Sequence, residues 1–180
     1  MEKTDFDLVK AVGAGDQQAF EYLVKKYRNP VFNFIYRYLG ERHAAEDILQ
    51  EVFLGLYRAA PRFEARARVS TWLFKIAYNL SMNELKRRKR LLNLKESLHG
   101  LPRTETGPSA SSIIEARELE EDVRTVLDQL PENQKAAMLL RVNEELSYAE
   151  ISEVLSVSVS SAESLIFRAR TRLRQLLRGN

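Results

Sequence analysis

Positively charged side chains are concentrated between residues 58 and 90. Ten Lys and Arg residues stand there against only Glu64 and Glu84, and the stretch ends in the basic run KRRKR at 86–90. A loop with three arginines precedes a helix that mixes cations with uncharged groups on one side: Arg62, Arg66 and Arg68, then Lys75, Tyr78, Asn79, Met82, Lys86 and Lys89. This mixture favours a nucleic-acid strand whose bases are stacked and hydrogen-bonded, because phosphates alone need only cations. The alternative is a solvated helix end or a nonspecific basic tract.

A second basic element lies between residues 146 and 180. Ser147 and Glu150 have the spacing of a capping box, which predicts a helix; after a break at 156–158 a longer helix runs to Leu177. Helix, short turn and helix form the helix-turn-helix pattern. Short hydroxyls followed by arginines suit a helix in the major groove, and the outward face carries Ser160, Ser161, Ser164, Phe167, Arg168 and Thr171, flanked by Arg170 and Arg172. The alternative is an ordinary amphipathic hairpin with a solvated basic rim.

The segment 44–59 reads as an acidic amphipathic helix. Its apolar stripe comprises Ala45, Ile48, Leu49, Val52, Phe53 and Leu56. The opposite side carries Asp47, Gln50, Glu51, Leu54, Tyr57 and Arg58. Large apolar groups among carboxylates suit a protein-binding surface better than a purely solvated face, which is the alternative.

The composition argues against catalytic and metal-binding functions. The chain has 180 residues and no cysteine, and its two histidines, His43 and His99, are far apart. Neither a disulfide framework nor a metal centre is therefore expected. Mg²⁺-dependent catalysis needs carboxylates beside the basic patch, whereas Glu46, Asp47 and Glu51 lie on another helix. We expect a protein that is not an enzyme and needs no cofactor.

The hydropathy of the chain predicts a cytosolic protein. No apolar run approaches 18 residues, and the N-terminal MEKTDFDLVK lacks the core of a signal peptide. We therefore expect no direct membrane insertion.

Helical periodicity dominates the chain and predicts an all-α fold of two small domains. The first short helix spans Asp5 to Val12, and the second, capped by Asp16, ends at Gly40 with a kink or interruption at Pro30. A further helix begins at Thr71, and two more are expected at 123–130 and 133–142. A segment rich in Pro, Gly, Ser and Thr at 100–112 indicates a linker. The predicted organisation is a first domain at 1–95, a flexible linker at 96–120 and a second domain at 121–180.

Three segments together resemble the extracytoplasmic-function (ECF) sigma factors of bacteria. They read AAEDILQEVFLGLYRA, FEARARVSTWLFKIAYNLSMNELKRRKR and LPENQKAAMLLRVNEELSYAEISEVLSVSVSSAESLIFRAR. The segments follow the order of the family, and the match extends over nearly the whole chain with only the linker unconstrained. The resemblance implies a non-catalytic subunit, with sigma region 2 and region 4 domains, that binds core RNA polymerase, directs it to promoters and initiates DNA opening.

The resemblance also implies roles for individual residues. The acidic helix would dock on the clamp helices of the largest polymerase subunit through Asp47, Gln50, Glu51 and Leu54. The arginine loop and the helix after it would read the −10 element and capture a flipped base through Arg66, Arg68, Lys75, Tyr78, Asn79, Lys86 and Arg87. The second domain would bind the flap of the second-largest subunit and read the −35 element through Ser160, Ser161, Ser164, Phe167, Arg168, Arg170 and Arg172.

Regulation and promoter choice are less directly implied. Members of the family are usually held inactive by an anti-sigma factor, so such a partner is expected, and a membrane-anchored one would keep the protein near the membrane. The sequence departs from the commonest pattern at Ser156, where glycine is frequent, and at Glu163 and Leu165, where basic residues are usual. The remaining alternative is a stand-alone helix-turn-helix regulator that binds duplex DNA, which gives no role to residues 44–90.

Overall fold

The computed structural model describes residues 3–64, 67–99 and 123–178. Every regular element within these residues is helical, which confirms the predicted all-α class. The elements are α1 Asp5–Gly13, α2 Gln17–Leu39, α3 Arg42–Ala59, a 3₁₀ turn Ala60–Arg62, α4 Val69–His99, α5 at 123–128, α6 Glu132–Val142, α7 Tyr148–Leu155 and α8 Val159–Arg178.

Short-range sequence signals set the ends of the first helices. Thr4 and Asp7 form a capping box at the start of α1, in which each side chain accepts a backbone N–H of the other residue. The carboxylate of Asp16 begins α2 by accepting the N–H of Ala19 at 3.0 Å. Gly40 ends α2 in the left-handed region, at φ 73°, where glycine has no steric penalty.

Pro30 lies inside α2, which continues without a break from Gln17 to Leu39. Of the kink or interruption expected there, the interruption does not occur. A proline in a helix interior costs about 3 kcal/mol because it removes a backbone hydrogen bond. However, α2 packs against α1, α3 and α4, and it buries Leu23, Val31 and Phe34 completely. Each such side chain contributes roughly 1.5–3 kcal/mol, so burial outweighs the cost of the proline.

Helix α4 is longer than the sequence indicated at both ends. It begins at Val69, two residues before the expected Thr71, and it continues to His99, beyond the domain boundary expected at residue 95. The rest of the predicted linker, 100–120, lies outside the described residues.

The helices form two groups that are packed on each other. Helices α1 to α4 make the first, and α6, α7 and α8 make the second. Helix α4 contacts α7, and α2 contacts α6. As a result, one continuous cluster of buried side chains runs through both groups, from Leu8 and Val9 of α1 to Ala162 and Ile166 of α8.

The helix-turn-helix lies where the sequence predicted it. Ser147 and Glu150 form the expected capping box at the start of α7. Ser156 ends that helix in the left-handed region, at φ 54° and ψ 46°. Helix α8 then packs inward through Ala162 and Ile166, which are buried. The serine thus occupies a backbone conformation that ordinarily selects glycine.

Replacing Ser156 by glycine should stabilise the chain by roughly 0.5–1 kcal/mol, because glycine adopts the left-handed conformation without strain. Urea unfolding measures the change. The control is Ala149→Gly in the first turn of α7, which should cost up to about 1 kcal/mol because glycine has a lower helix propensity than alanine. A loss of stability in Ser156→Gly would contradict this account of the turn.

Candidate functional site

The side of α3 that faces away from the helix bundle is acidic and partly apolar. Asp47, Gln50 and Glu51 are exposed, as predicted, while the apolar stripe of the helix is buried. Leu54 is 43% exposed and Tyr57 is 53% exposed. We call these five residues the α3 face. Exposed large apolar groups among carboxylates are typical of a surface that a partner covers.

Helix α2 extends the α3 face, which sequence reasoning missed. The ring of Phe20 meets that of Tyr57 edge-on, with 5.5 Å between centroids. An open groove beside it is lined by Phe20, Glu21, Val24, Lys25, Arg28 and Asn29. Phe20 and Val24 are half-buried, and only the packing of α2 on α3 shows that they line a groove.

The predicted −10 residues do not all lie on one open surface. Asn79, Lys86 and Arg87 are exposed, and Lys75 is half-buried. The guanidinium side chain of Arg68, just before α4, is 79% exposed and lies 3.3 Å from the carboxylate of Glu150 in α7. Arg66 falls outside the described residues.

Tyr78 is buried, although the sequence placed it on the open side of α4. Only 5% of its surface is exposed. Its hydroxyl donates to Oδ1 of Asn133 in α6 at 2.9 Å, and its ring lies 6.0 Å from that of Tyr38. Burial, followed by the nearby carboxylate of Glu132, raises the pKa of Tyr78. The sequence missed this burial because the residue is covered by a helix that lies 55 positions away.

One carboxylate organises the basic run at 86–90 within α4. Glu84 accepts two hydrogen bonds from Arg87, both at 2.8 Å, and one from Nε of Arg88 at 2.7 Å. The bond from Arg87 is the largest of the effects that lower the pKa of Glu84 to about 2. Arg88 also donates to Glu41, the cap of α3, at 3.1 Å. The i+3 and i+4 spacings of these pairs were visible in the sequence.

The outward face of α8 matches the sequence prediction. Ser160, Ser161, Ser164, Arg168, Arg170 and Arg172 are exposed, and Phe167 is 71% exposed. The hydroxyl of Ser158, which was not predicted, accepts the backbone N–H of Ser161 at 3.2 Å and so caps α8. It also lies 3.1 Å from Oγ of Ser160 and 2.8 Å from Oγ of Ser161.

Helix α6 contributes to the same face. An open groove between α6 and α8 is lined by Gln134, Phe167, Arg168, Thr171, Arg172, Gln175 and Leu176. Gln134 was not predicted, because its contribution depends on how α6 packs against α8. We call this groove and the exposed residues of α8 the α8 face.

Two further features are absent from the part of the chain that is described. No helix there is long and apolar enough to cross a membrane. Likewise, no three His, Asp or Glu side chains among the described residues are grouped so that they could hold a metal ion.

Comparison with known families defines the class of protein. Residues 23–91 match Sigma-70 region 2, and residues 120–173 match Sigma-70, region 4. The ECF RNA polymerase sigma factor SigW of Bacillus subtilis is 33% identical, over 94% of this chain and 95% of the relative. The RNA polymerase sigma-H factor of Pseudomonas aeruginosa is 34% identical, over 94% of this chain and 91% of the relative.

Solved structures share the fold. CnrH, in complex with the cytosolic domain of CnrY, superposes with a TM-score of 0.74 at 23% identity, over 99% of both chains. RpoE of Bartonella quintana, in complex with the anti-sigma factor NepR, gives 0.71 at 20% identity, over 88% of this chain and 96% of that one. The chain belongs to the ECF sigma factors, and the resemblance seen in the sequence is confirmed.

Glu144 has an unusual environment between the two groups of helices. It follows α6 directly and is half-buried. Burial raises its pKa to about 7, although the positive charge of Arg37 in α2 opposes the shift. The folded chain therefore favours the neutral carboxyl, whereas the unfolded chain ionises it near its ordinary pKa of about 4.3.

The free energy of unfolding should consequently fall as the pH rises from about 4.5 to about 7, because over this range Glu144 ionises more readily in the unfolded chain than in the folded one. In Glu144→Gln this dependence is absent, so the variant should be the more stable form at pH 8. The difference should shrink towards pH 4, where the glutamate is neutral in both states. Chemical unfolding across this range tests it, with the exposed neighbour Glu145→Gln as the control for losing a charge. A variant that is less stable at pH 8 would contradict the assignment.

Proposed function

We propose that the chain is a dissociable, non-catalytic subunit of RNA polymerase that selects promoters. The observation that carries this proposal is the presence, on one chain, of a partner-type surface and a separate DNA-type surface. The α3 face combines carboxylates with exposed Leu54 and Tyr57, and the α8 face combines hydroxyls with arginines. Membership of the ECF sigma factors gives both surfaces a place in transcription initiation.

The α3 face is our proposed docking surface for the clamp helices of the largest polymerase subunit. Asp47, Gln50 and Glu51 would supply charge and hydrogen bonds, and Leu54 with Tyr57 would supply buried apolar area. Charged groups at the rim of an interface guide association, while the apolar groups at its centre supply most of the affinity. The groove along α2 would widen this surface.

We propose that α4 and the loop before it contact the −10 element. Lys86 and Arg87 would hold phosphates, Lys75 and Asn79 would approach bases, and Arg66 with Arg68 would hold the captured strand. Tyr78 fits this role only when its ring is exposed, because a buried ring cannot stack on a base.

The α8 face is our proposed reader of the −35 element. The N-terminus of α8 presents backbone N–H groups and short hydroxyls, which suit contact with a phosphate. Arg168 and Phe167 lie further along on the exposed side, where a guanidinium can pair with guanine and a ring can contact a thymine methyl group. The same domain would bind the flap of the second-largest subunit.

An anti-sigma factor is the further partner that we propose. RpoE of Bartonella quintana has been solved with the anti-sigma factor NepR. In this chain the α3 face and the α8 face both leave apolar groups exposed, Leu54 and Phe167 among them. A protein that covers either face would prevent promoter binding. We propose that this regulation takes place in the cytoplasm.

Transcription from genomic fragments by bacterial core polymerase, with and without the protein, tests the proposal. Protein-dependent start sites that share an upstream pair of motifs are the expected result. The alternative, a stand-alone regulator, is not favoured by the family, and it predicts no new transcripts and no co-migration with core polymerase.

Asp47→Arg combined with Gln50→Ala should weaken binding to core polymerase by at least about 100-fold, or roughly 3 kcal/mol, because it reverses one charge and removes one hydrogen-bonding group on the α3 face. Both side chains are exposed, so the fold should survive. Fluorescence anisotropy with labelled protein measures the affinity. The control, Glu64→Arg with Gln18→Ala, makes the same charge change on exposed positions of the first domain outside the α3 face. Unchanged binding by the first variant would remove the α3 face as the docking surface.

Arg168→Ala should cost about 1–3 kcal/mol of affinity for the protein's own −35 sequence if the guanidinium pairs with a base. Discrimination against a single substituted base pair should decrease with it. Arg178→Ala, at the end of α8, is the control and should not change discrimination. Equal losses on all sequences would make Arg168 a phosphate contact instead.

A further inference from the structure

The second group of helices covers part of the surface that the −10 element would need. Tyr78, one of the proposed −10 residues, is 5% exposed and donates its hydroxyl to Asn133 of α6. Nζ of Lys89, in the basic run of α4, pairs with the carboxylate of Glu132 at the start of α6. Contacts at a proposed nucleic-acid surface are thus made by another part of the same chain.

The loop before α4 is also contacted by the second group, although the side chain of Arg68 stays exposed. One oxygen of Glu150 lies 3.3 Å from Arg68 and 3.4 Å from the hydroxyl of Thr71, which donates to it. The other oxygen accepts the N–H of Ser147 within the capping box. Burial alone would raise the pKa of Glu150, but the bonds from Ser147 and the charge of Arg68 outweigh it and lower the pKa. Glu150 therefore remains an anion at neutral pH.

Further contacts fix how the two groups fit together. The ammonium group of Lys135 in α6 is buried, with 7% of its side chain exposed. It donates to the backbone carbonyl of Tyr38 in the last turn of α2 at 3.0 Å and pairs with Asp128. A cation is favourable at the C-terminus of a helix, where the carbonyl groups lack partners. A buried lysine aimed at a carbonyl of the other group indicates a defined interface.

The interface is also incomplete. The hydroxyl of Tyr38 is buried and, within the described residues, has no hydrogen-bond partner. A buried polar group without a partner costs about 1–3 kcal/mol. The half-buried Glu144, which faces Arg37 across the same interface, adds a further cost at neutral pH. An interface with such defects can open without a large input of free energy.

We propose that this packing is a closed, self-inhibited state, in which Glu132 and Glu150 occupy the places of DNA phosphates beside Lys89 and Arg68. The closed state and a −10 complex exclude each other, because the ring of Tyr78 cannot stack on a base while α6 covers it. The carboxylates also compete with phosphates for Lys89 and Arg68, whose side chains remain largely exposed. Binding of core polymerase or promoter DNA must therefore separate the groups. This inference rests on the proposed −10 function of α4.

The affinity of the free chain for its −10 strand falls with the fraction of open molecules. If about 1–10% of molecules are open, abolishing closure should tighten binding by about 10- to 100-fold. Glu132→Lys with Glu150→Gln removes both pairings and leaves an oxygen at position 150 for the capping box. The control, Glu153→Lys with Glu145→Gln, makes the same net charge change on exposed positions.

A distance measurement between the two helix groups tests closure independently of transcription. The chain has no cysteine, so spin labels can be placed at Ala67→Cys and Ala149→Cys only, on exposed residues that flank the pair Arg68 and Glu150. A single short distance is expected in the free chain. It should lengthen in Glu132→Lys with Glu150→Gln and remain unchanged in the control. A long or broad distance in the unaltered chain would overturn the inference and leave the promoter function intact.

A reversible lock then links closure to activity. Arg37→Cys and Glu144→Cys place two thiols across the interface, outside the proposed DNA contacts, and a bismaleimide with an internal disulfide joins them. The locked protein should direct at least about tenfold less transcription, and reduction of the linker should restore it; N-ethylmaleimide on both thiols is the control. Full transcription by the locked form would overturn the inference. Failure of locked and unlocked forms alike would instead refute the proposed function, and the inference would fall with it.

Discussion

Burial of helix α4 on two sides is the constraint on which the rest of the structure depends. Leu73, Phe74 and Ala77 pack into the first helix group and are almost completely buried. Tyr78 and Thr71 face the second group and are buried as well. The cations of the same helix must then share the part of its circumference that remains. A residue on α4 can therefore serve the core, the contact between the groups or a nucleic acid, and its position on the helix decides which.

The carboxylates that accompany this helix have distinct tasks. Glu84 stays within α4 and holds Arg87 and Arg88 in place. Glu41 caps α3 and binds Arg88, so it joins the start of α3 to the basic run of α4. Glu132 belongs to the second group and reaches across to α4. Exposed ion pairs of this kind contribute little stability, about 0–1 kcal/mol each. Their effect is to fix orientation and to determine which cations a partner meets first.

Local signals in the sequence were sufficient for the helices and for two of the three surfaces. The capping pair Ser147 and Glu150, the apolar stripe of α3 and the hydroxyl-and-arginine face of α8 all depend on spacings of a few residues, and all lie where they were predicted. The burial of Tyr78 and the groove along α2 depend on how distant helices pack, and no spacing in the sequence reveals that packing. The continuity of α2 through Pro30 depends on distant residues too, because the cost of the proline is local whereas the burial that offsets it comes from other helices.

The pairing of the basic run changes what ionic strength should do to DNA binding. Of its five cations, Arg87, Arg88 and Lys89 already contact carboxylates. A paired arginine or lysine must exchange its intramolecular carboxylate for a DNA phosphate. Binding of such a residue to DNA therefore releases fewer counterions in total. For a single strand each ordinary phosphate contact steepens the logarithmic salt dependence by about 0.7. Three such exchanges should lower the slope of this salt dependence by about 2. Binding through α4 is therefore less sensitive to salt than the ten cations between residues 58 and 90 suggest.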